Sequence, residues 1–205
     1  MSIQEWASIF FEQIKDTSLL EWVAVAAAVA EVLLARSNNV YLYPSGIIST
    51  IIYIYLMADA KLYGESFLNV YYLIMSVYGW YHWLKKKDKP PLPIAKTTPS
   101  EWGATAGIVV LGWVLFYIVL NAAHSAAPFW DAWVSATAWA GMWLLARRKI
   151  ENWLLLNLSN LFAIPLLVYK KLPLTACLTL FLFIVAIFGF IEWRKIYRSQ
   201  NIVAV

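Results

Sequence analysis

The 205-residue chain reads as an all-α integral membrane protein with seven transmembrane helices, and three observations carry that reading. Sixty-two per cent of its residues are hydrophobic and only 14% are charged, which is more apolar surface than one soluble core can hide. The apolar residues fall into stretches close to the roughly 20 residues that cross a hydrocarbon core, with short Lys-, Asn-, Gly- or Pro-containing loops between them. The stretches are too long and too continuously apolar for barrel strands, and a helix satisfies its own backbone hydrogen bonds in lipid.

Met1–Asp16 places Ile3, Trp6, Ile9, Phe10 and Ile14 near helical spacing among Glu5, Glu12 and Lys15. This predicts a helix lying at the interface rather than a cleaved leader. The spans follow at Leu19–Ala35, Tyr43–Ala60, Ser66–Trp83, Trp102–Asn121, Ala132–Ala146, Trp153–Val168 and Leu174–Trp193. The organisation expected is an interfacial helix over 1–18, a first three-helix unit over 19–83 and a cytoplasmic loop with linker helix over 84–131. A second unit over 132–195 and a tail over 196–205 complete it.

The division into units comes from an internal repeat. Leu33-Leu34-Ala35-Arg36 recurs as Leu144-Leu145-Ala146-Arg147 at an offset of 111. Tyr78-Gly79-Trp80, Trp83 and Lys85 match Phe188-Gly189-Phe190, Trp193 and Lys195 at an offset of 110, as though one residue were lost in between. Two triplets separated by one helix share an orientation, giving a 3+1+3 parallel repeat of the kind that transporters use, with substrate held between the halves. Of the sixteen Lys and Arg residues, four fall on the face shared with the N-terminus and twelve on the opposite face. The positive-inside rule then puts the C-terminus in the cytoplasm and the N-terminus in the periplasm of a bacterial inner membrane. The same bias accounts for the basic pI, and the absence of a nucleic-acid motif excludes that partner.

A transported polar solute needs polar groups inside the bundle. Asn69, Tyr72, Ser76 and Trp80 share one face of the third span, and Asn152, Trp153, Asn157 and Asn160 gather on the sixth. Trp139 is deep enough in the fifth span to stack on a ring, and Ser49 and Tyr53, set opposite Asn160 and Ile164 by the repeat, are candidate partners. The competing role for each is to tie helices together. Glu31 is an intramembrane carboxylate close enough to Arg36 to pair with it, and Glu151 reads as a boundary partner of Arg147 and Arg148. His82 and His124 stand apart, the single Cys177 has no partner, and no catalytic or nucleotide-binding motif occurs; no metal, cofactor or enzymatic activity is expected.

Asn69-Val70-Tyr71-Tyr72 with Tyr78-Gly79-Trp80-Tyr81-His82-Trp83 resembles the third-helix signature of PnuC-type vitamin transporters. Glu151-Asn152-Trp153-Leu154, Ile164-Pro165-Leu166, Tyr169-Lys170 and Glu192-Trp193-Arg194-Lys195 resemble that family's last three spans. The resemblance implies a SWEET-like fold, a homotrimer, and facilitated uptake of nicotinamide riboside followed by trapping through phosphorylation. Leu156 and Asn160 depart from the family pattern, which has a second Trp and commonly an Asp there. That departure admits thiamine as the alternative solute, with a SWEET-like sugar transporter or a non-transporting scaffold as readings of other classes.

Overall fold

The computed structural model describes residues 3–60, 63–84 and 92–202. They form helices α1 (Ile3–Asp16), α2 (Leu19–Arg36), α3 (Leu42–Asp59), α4 (Tyr63–Leu84), α5 (Pro99–Ala122), α6 (Pro128–Ala146), α7 (Asn152–Tyr169) and α8 (Pro173–Ile202). Helix starts follow local chemistry. Ser18 and Glu21 close a capping box on α2, Thr98 and Glu101 close another on α5, and Pro99 and Pro128 occupy first-turn positions that need no N–H donor. The chain turns by 103° between α1 and α2, so the amphipathic α1 lies across the bundle axis. The eighth helix continues past Trp193 to Ile202, so much of the expected tail is helical.

Helices α2 to α8 coincide with the seven expected stretches. On length and apolarity, α3, α5, α7 and α8 are each sufficient to cross a bilayer. Glu21, Glu31 and Arg36 make α2 more charged than these. Rows of large apolar side chains face outward, including Val110, Leu111, Val114 and Ile118 on α5 and Phe181, Ile184, Phe188 and Ile191 on α8. Such a surface is stable against lipid and not against water.

Contacts close six helices into a ring: α2 packs on α3, α3 on α4, α4 on α6, α6 on α7, α7 on α8, and α8 returns to α2. Helix α5 lies outside against α6, and α1 packs on α8. Contacts of the first triplet recur in the second 110 residues later. Ser49 Oγ donates to the Ala24 carbonyl at 3.0 Å, and Ser159 Oγ to that of Val134 at 2.8 Å. Asn38 and Arg148 adopt left-handed backbone (φ 54° and 56°) to end α2 and α6. Each turn is closed by a bond of 2.9 Å, from Asn39 N–H to Leu34 and from Lys149 N–H to Leu144.

Helix ends and turns thus keep one register of 110, and no residue is lost. The Leu-Leu-Ala-Arg match at 111 is one residue out of step with the backbone, and Ser49 and Tyr53 correspond to Ser159 and Ala163 rather than to Asn160 and Ile164. A one-residue slip is easily made where both helices are rich in Leu and Ala, because composition there constrains register weakly.

Two glycines let aromatic rings approach helix backbone. A Cβ built on Gly79 would stand 2.4 Å from the Tyr43 ring, and one on Gly189 would stand 2.6 Å from the Trp153 ring. Gly79→Ala and Gly189→Ala are each expected to destabilise the folded protein by about 1–3 kcal/mol through overpacking. Gly103→Ala, with open space around its Cβ on α5, should leave the melting temperature unchanged or raise it slightly. Thermal unfolding of the three purified variants in one detergent checks the contrast.

Candidate functional site

The face of the ring that carries the α2–α3 and α6–α7 turns is sealed by aromatics. Tyr43 packs edge-on against Trp83 with ring centroids 5.2 Å apart, Trp83 meets Trp193 at 6.0 Å, and Trp193 packs edge-on against Trp153 at 5.7 Å. Trp83 Nε1 donates to the Ala146 carbonyl at 3.2 Å, and Trp193 Nε1 to that of Ala35 at 2.9 Å, so each triplet ties itself to the other. Arg148 sits over the Trp83 ring at 4.1 Å and donates to Asn38 Oδ1 and to the Leu92 carbonyl. Burial pulls the Arg148 pKa below its usual value, while the nearby Tyr43 hydroxyl acts in the opposite sense. The linker joins the seal through buried Ile94 and through backbone bonds of Ala95 to Arg148 and Ile150.

Seven buried side-chain polar atoms have no hydrogen-bond partner among the described residues: Tyr43 OH and Trp153 Nε1 on rings of the seal, Asn152 Oδ1 beside Trp153 in sequence, and Ser76 Oγ, Trp133 Nε1, Trp139 Nε1 and Asn157 Oδ1. An unpaired buried donor or acceptor costs about 1–3 kcal/mol, so each of these atoms is a candidate to bond another molecule. Five belong to residues expected at the site; Trp133 does not, and neither does Tyr43. Its signal lies in the repeat: Tyr43 and Trp153 correspond, and each is followed 36 positions later by the glycine on which its ring rests.

The remaining candidates divide. Asn69, Tyr72 and Asn160 are half-buried, and Tyr72 lies within electrostatic range of Glu31. Trp80 is exposed. Trp139 is covered on one face by Tyr71, stacked at 3.8 Å, and Phe116 meets it edge-on at 4.3 Å, so its stacking surface is already occupied by the protein. Ser49 uses its hydroxyl to tie α3 to α2. Tyr53 lines a cavity of about 680 Å³ at the opposite face of the ring, with Asp16, Glu21 and Trp22 on one wall and Thr175 and Cys177 on the other. Two acidic side chains at this mouth favour a cationic solute.

Neither expected boundary ion pair forms. Arg36 bonds to Glu192, at 2.9 Å from Nε, and leaves Glu31 to face Gly46. Glu151 accepts from Thr97 N–H and Oγ at 2.9 and 2.7 Å, while Arg147 and Lys149 pair with Glu101 at 3.3 and 2.8 Å. Proximity in sequence misled here because each helix end has a closer partner on a neighbouring element. No cluster of metal-ligating side chains occurs among the described residues.

A helical ring with a closed face, unpaired polar groups behind it and a solvent-open cavity opposite has the form of a carrier, and comparison with known proteins agrees. The family described as nicotinamide mononucleotide transporter matches residues 18–195. The chain belongs to that family. It is therefore a membrane transporter of the PnuC group and not an enzyme. It is 22% identical to the nicotinamide riboside transporter PnuC of Escherichia coli (strain K12) over 91% of this chain and 89% of that one. It is 27% identical to the riboflavin/roseoflavin transporter RibM of Streptomyces davaonensis over 50% and 51% of the two chains. The crystal structure of the vitamin B3 transporter PnuC shares the fold with a TM-score of 0.70, at 23% identity, covering 96% of this chain and 88% of that one.

Trp83→Phe and Trp193→Phe keep the aromatic packing and remove one inter-triplet bond each. Each is expected to cost about 0.5–1.5 kcal/mol of stability and the double variant to depart from the sum, since the two rings meet at 6.0 Å and couple. Thermal melts of the two single variants and the double variant test this.

Proposed function

We propose that the protein carries nicotinamide riboside across the bacterial inner membrane by facilitated diffusion, with cytoplasmic phosphorylation trapping the product. The observation that carries this reading is the set of unpaired polar atoms on α3, α4 and α7, in a chain that aligns over nine-tenths of its length with a nicotinamide riboside transporter. A pyridinium ring with a carboxamide and a ribose needs aromatic faces, hydrogen-bond donors and amide acceptors. Trp153, Tyr72, Ser76, Asn152 and Asn157 offer them, with Asn69 and Asn160 at the margins. Thiamine and sugars, left open by the sequence, draw no support from these relatives.

The same reading gives the ring its symmetry. Helices α2 to α8 all span the membrane in a SWEET-like 3+1+3 parallel repeat, because an axis along the membrane normal that exchanges the triplets turns the α4–α6 contact into the α8–α2 contact. The cavity face is periplasmic and the sealed face cytoplasmic, where twelve of the sixteen Lys and Arg residues gather. Assembly as a homotrimer accords with the apolar outer face of α5.

Proteoliposomes containing the purified chain should take up labelled nicotinamide riboside saturably and without an imposed ion gradient. Asn157→Ala and Tyr72→Phe should each lower uptake by about tenfold or more, the effect of losing a hydrogen bond of ~1.4 kcal/mol or above, whereas Ser49→Ala should change it by less than about threefold. Retained uptake in both site variants, or no uptake by the wild type, defeats the assignment. For orientation, Cys177 is exposed at the cavity and is the single thiol, so an impermeant maleimide should label it in intact cells from outside. Labelling only in inverted vesicles reverses the topology.

A further inference from the structure

Glu31 is used by none of the contacts that hold the ring together. Its carboxylate lies directly against the bare backbone of Gly46, where a built Cβ would stand 2.5 Å from Oε1 and 2.6 Å from the carboxyl carbon. No described residue donates a hydrogen bond to it. Among the described residues, the cations at the two helix turns of the sealed face are engaged elsewhere: Arg36 with Glu192, Arg147 and Lys149 with Glu101, and Arg148 with Asn38 and the Trp83 ring. Two phenols, Tyr43 and Tyr72, lie within its electrostatic range.

The repeat shows that packing does not require this charge. The positions 110 residues on are Gly141 in α6 and Leu156 in α7, and there the Leu156 side chain fills the glycine's space, 2.8 Å from a built Cβ. The second half therefore fills the same helix crossing with hydrocarbon, and with the large and small residues exchanged. A carboxylate without a protein counter-ion in the interior of a membrane bundle costs several kcal/mol, so its presence on one half alone points to a partner that arrives from outside.

We propose that Glu31 is a specificity-determining counter-ion of the substrate site, selecting a permanently cationic nitrogen heterocycle over an uncharged ring of the same size. The cation stands on the first half beside Tyr43 and Tyr72, while the amides of Asn152 and Asn157 on the second half take its neutral polar groups. Gly46 is a positioning residue, because only a missing side chain there lets the carboxylate lie flat against α3. This deepens the proposed function and rests on it.

The test is calorimetric titration of the purified full-length protein with nicotinamide riboside and with its 1,4-dihydro form, which keeps the ribose and carboxamide but has no ring charge. Wild type should prefer the cationic ligand by about tenfold or more, as one ion pair in a partly desolvated site provides. Glu31→Gln should abolish the preference by weakening cation binding while leaving the dihydro form within about threefold. Glu31→Asp should retain part of the preference, and Gly46→Ala, which displaces the carboxylate, should reduce it. Equal affinity of wild type for the two ligands, or an undiminished preference in folded Glu31→Gln or, should that variant not fold, in Gly46→Ala, overturns the inference while leaving the vitamin assignment standing. Failure of wild type to bind either ligand overturns both.

Discussion

The two indole-to-carbonyl bonds at the sealed face, with the four rings around them, are the constraint on which the rest of the structure depends. Trp83 and Trp193 each reach out of their own triplet to the last turn of the first helix of the other, so the halves are held by reciprocal contacts at this face. At the other end the walls stand apart around a cavity of about 680 Å³. An indole is suited to this position because it fills the space between helices as a hydrocarbon would and still has an N–H for an otherwise exposed carbonyl. The rings in turn fit only because Gly79 and Gly189 present no side chain beneath Tyr43 and Trp153.

On this symmetrical frame the chemistry is asymmetrical. The polar residues of α4, Asn69, Tyr72 and Ser76, correspond to Thr179, Leu182 and Ala186 on α8, and the amides of α7 at 152 and 157 correspond to Leu42 and Ile47 on α3. Backbone ties recur in both halves, as Ser49 and Ser159 do, because they serve the fold. Groups that serve a ligand have no reason to recur, since a small solute has no twofold axis of its own. Recurrence therefore separates helix ties from ligand contacts better than polarity does, and by that measure Ser49 belongs to the frame.

The sequence made the helices legible because lipid imposes length and apolarity on membrane spans, and α2 to α7 begin and end within a few residues of the expected stretches, while α8 runs on to Ile202. The repeat was visible for a related reason: Gly79, Trp83, Gly189 and Trp193 are types that tight packing and the indole bonds demand. What could not be read was partnership. Arg36 lies five residues from Glu31 in sequence yet bonds to Glu192, which is 156 residues away. Trp139 looked free to stack because the sequence does not say that Tyr71 already covers it. Tyr43 is a span's first residue and looks like an interfacial anchor until Gly79 is seen beneath its ring.

The strength of the seal bears on how such a carrier moves its cargo. The two indole hydrogen bonds contribute about 1–3 kcal/mol together, and the Arg36–Glu192 pair, the Arg148 bonds to Asn38 and the stacked Tyr71–Trp139 rings also join the halves. An equilibrium between a sealed and an opened face shifts only if a bound ligand interacts more strongly with one arrangement than with the other. If transport is passive, as proposed, the ligand itself has to supply that difference, because the seal must open without another energy source. Tyr43 and Trp153 belong at once to the seal and to the unpaired polar set. On the proposed function, a solute that hydrogen-bonds to their free OH and N–H would act on the same rings that hold the halves together, which is the differential interaction such an equilibrium requires.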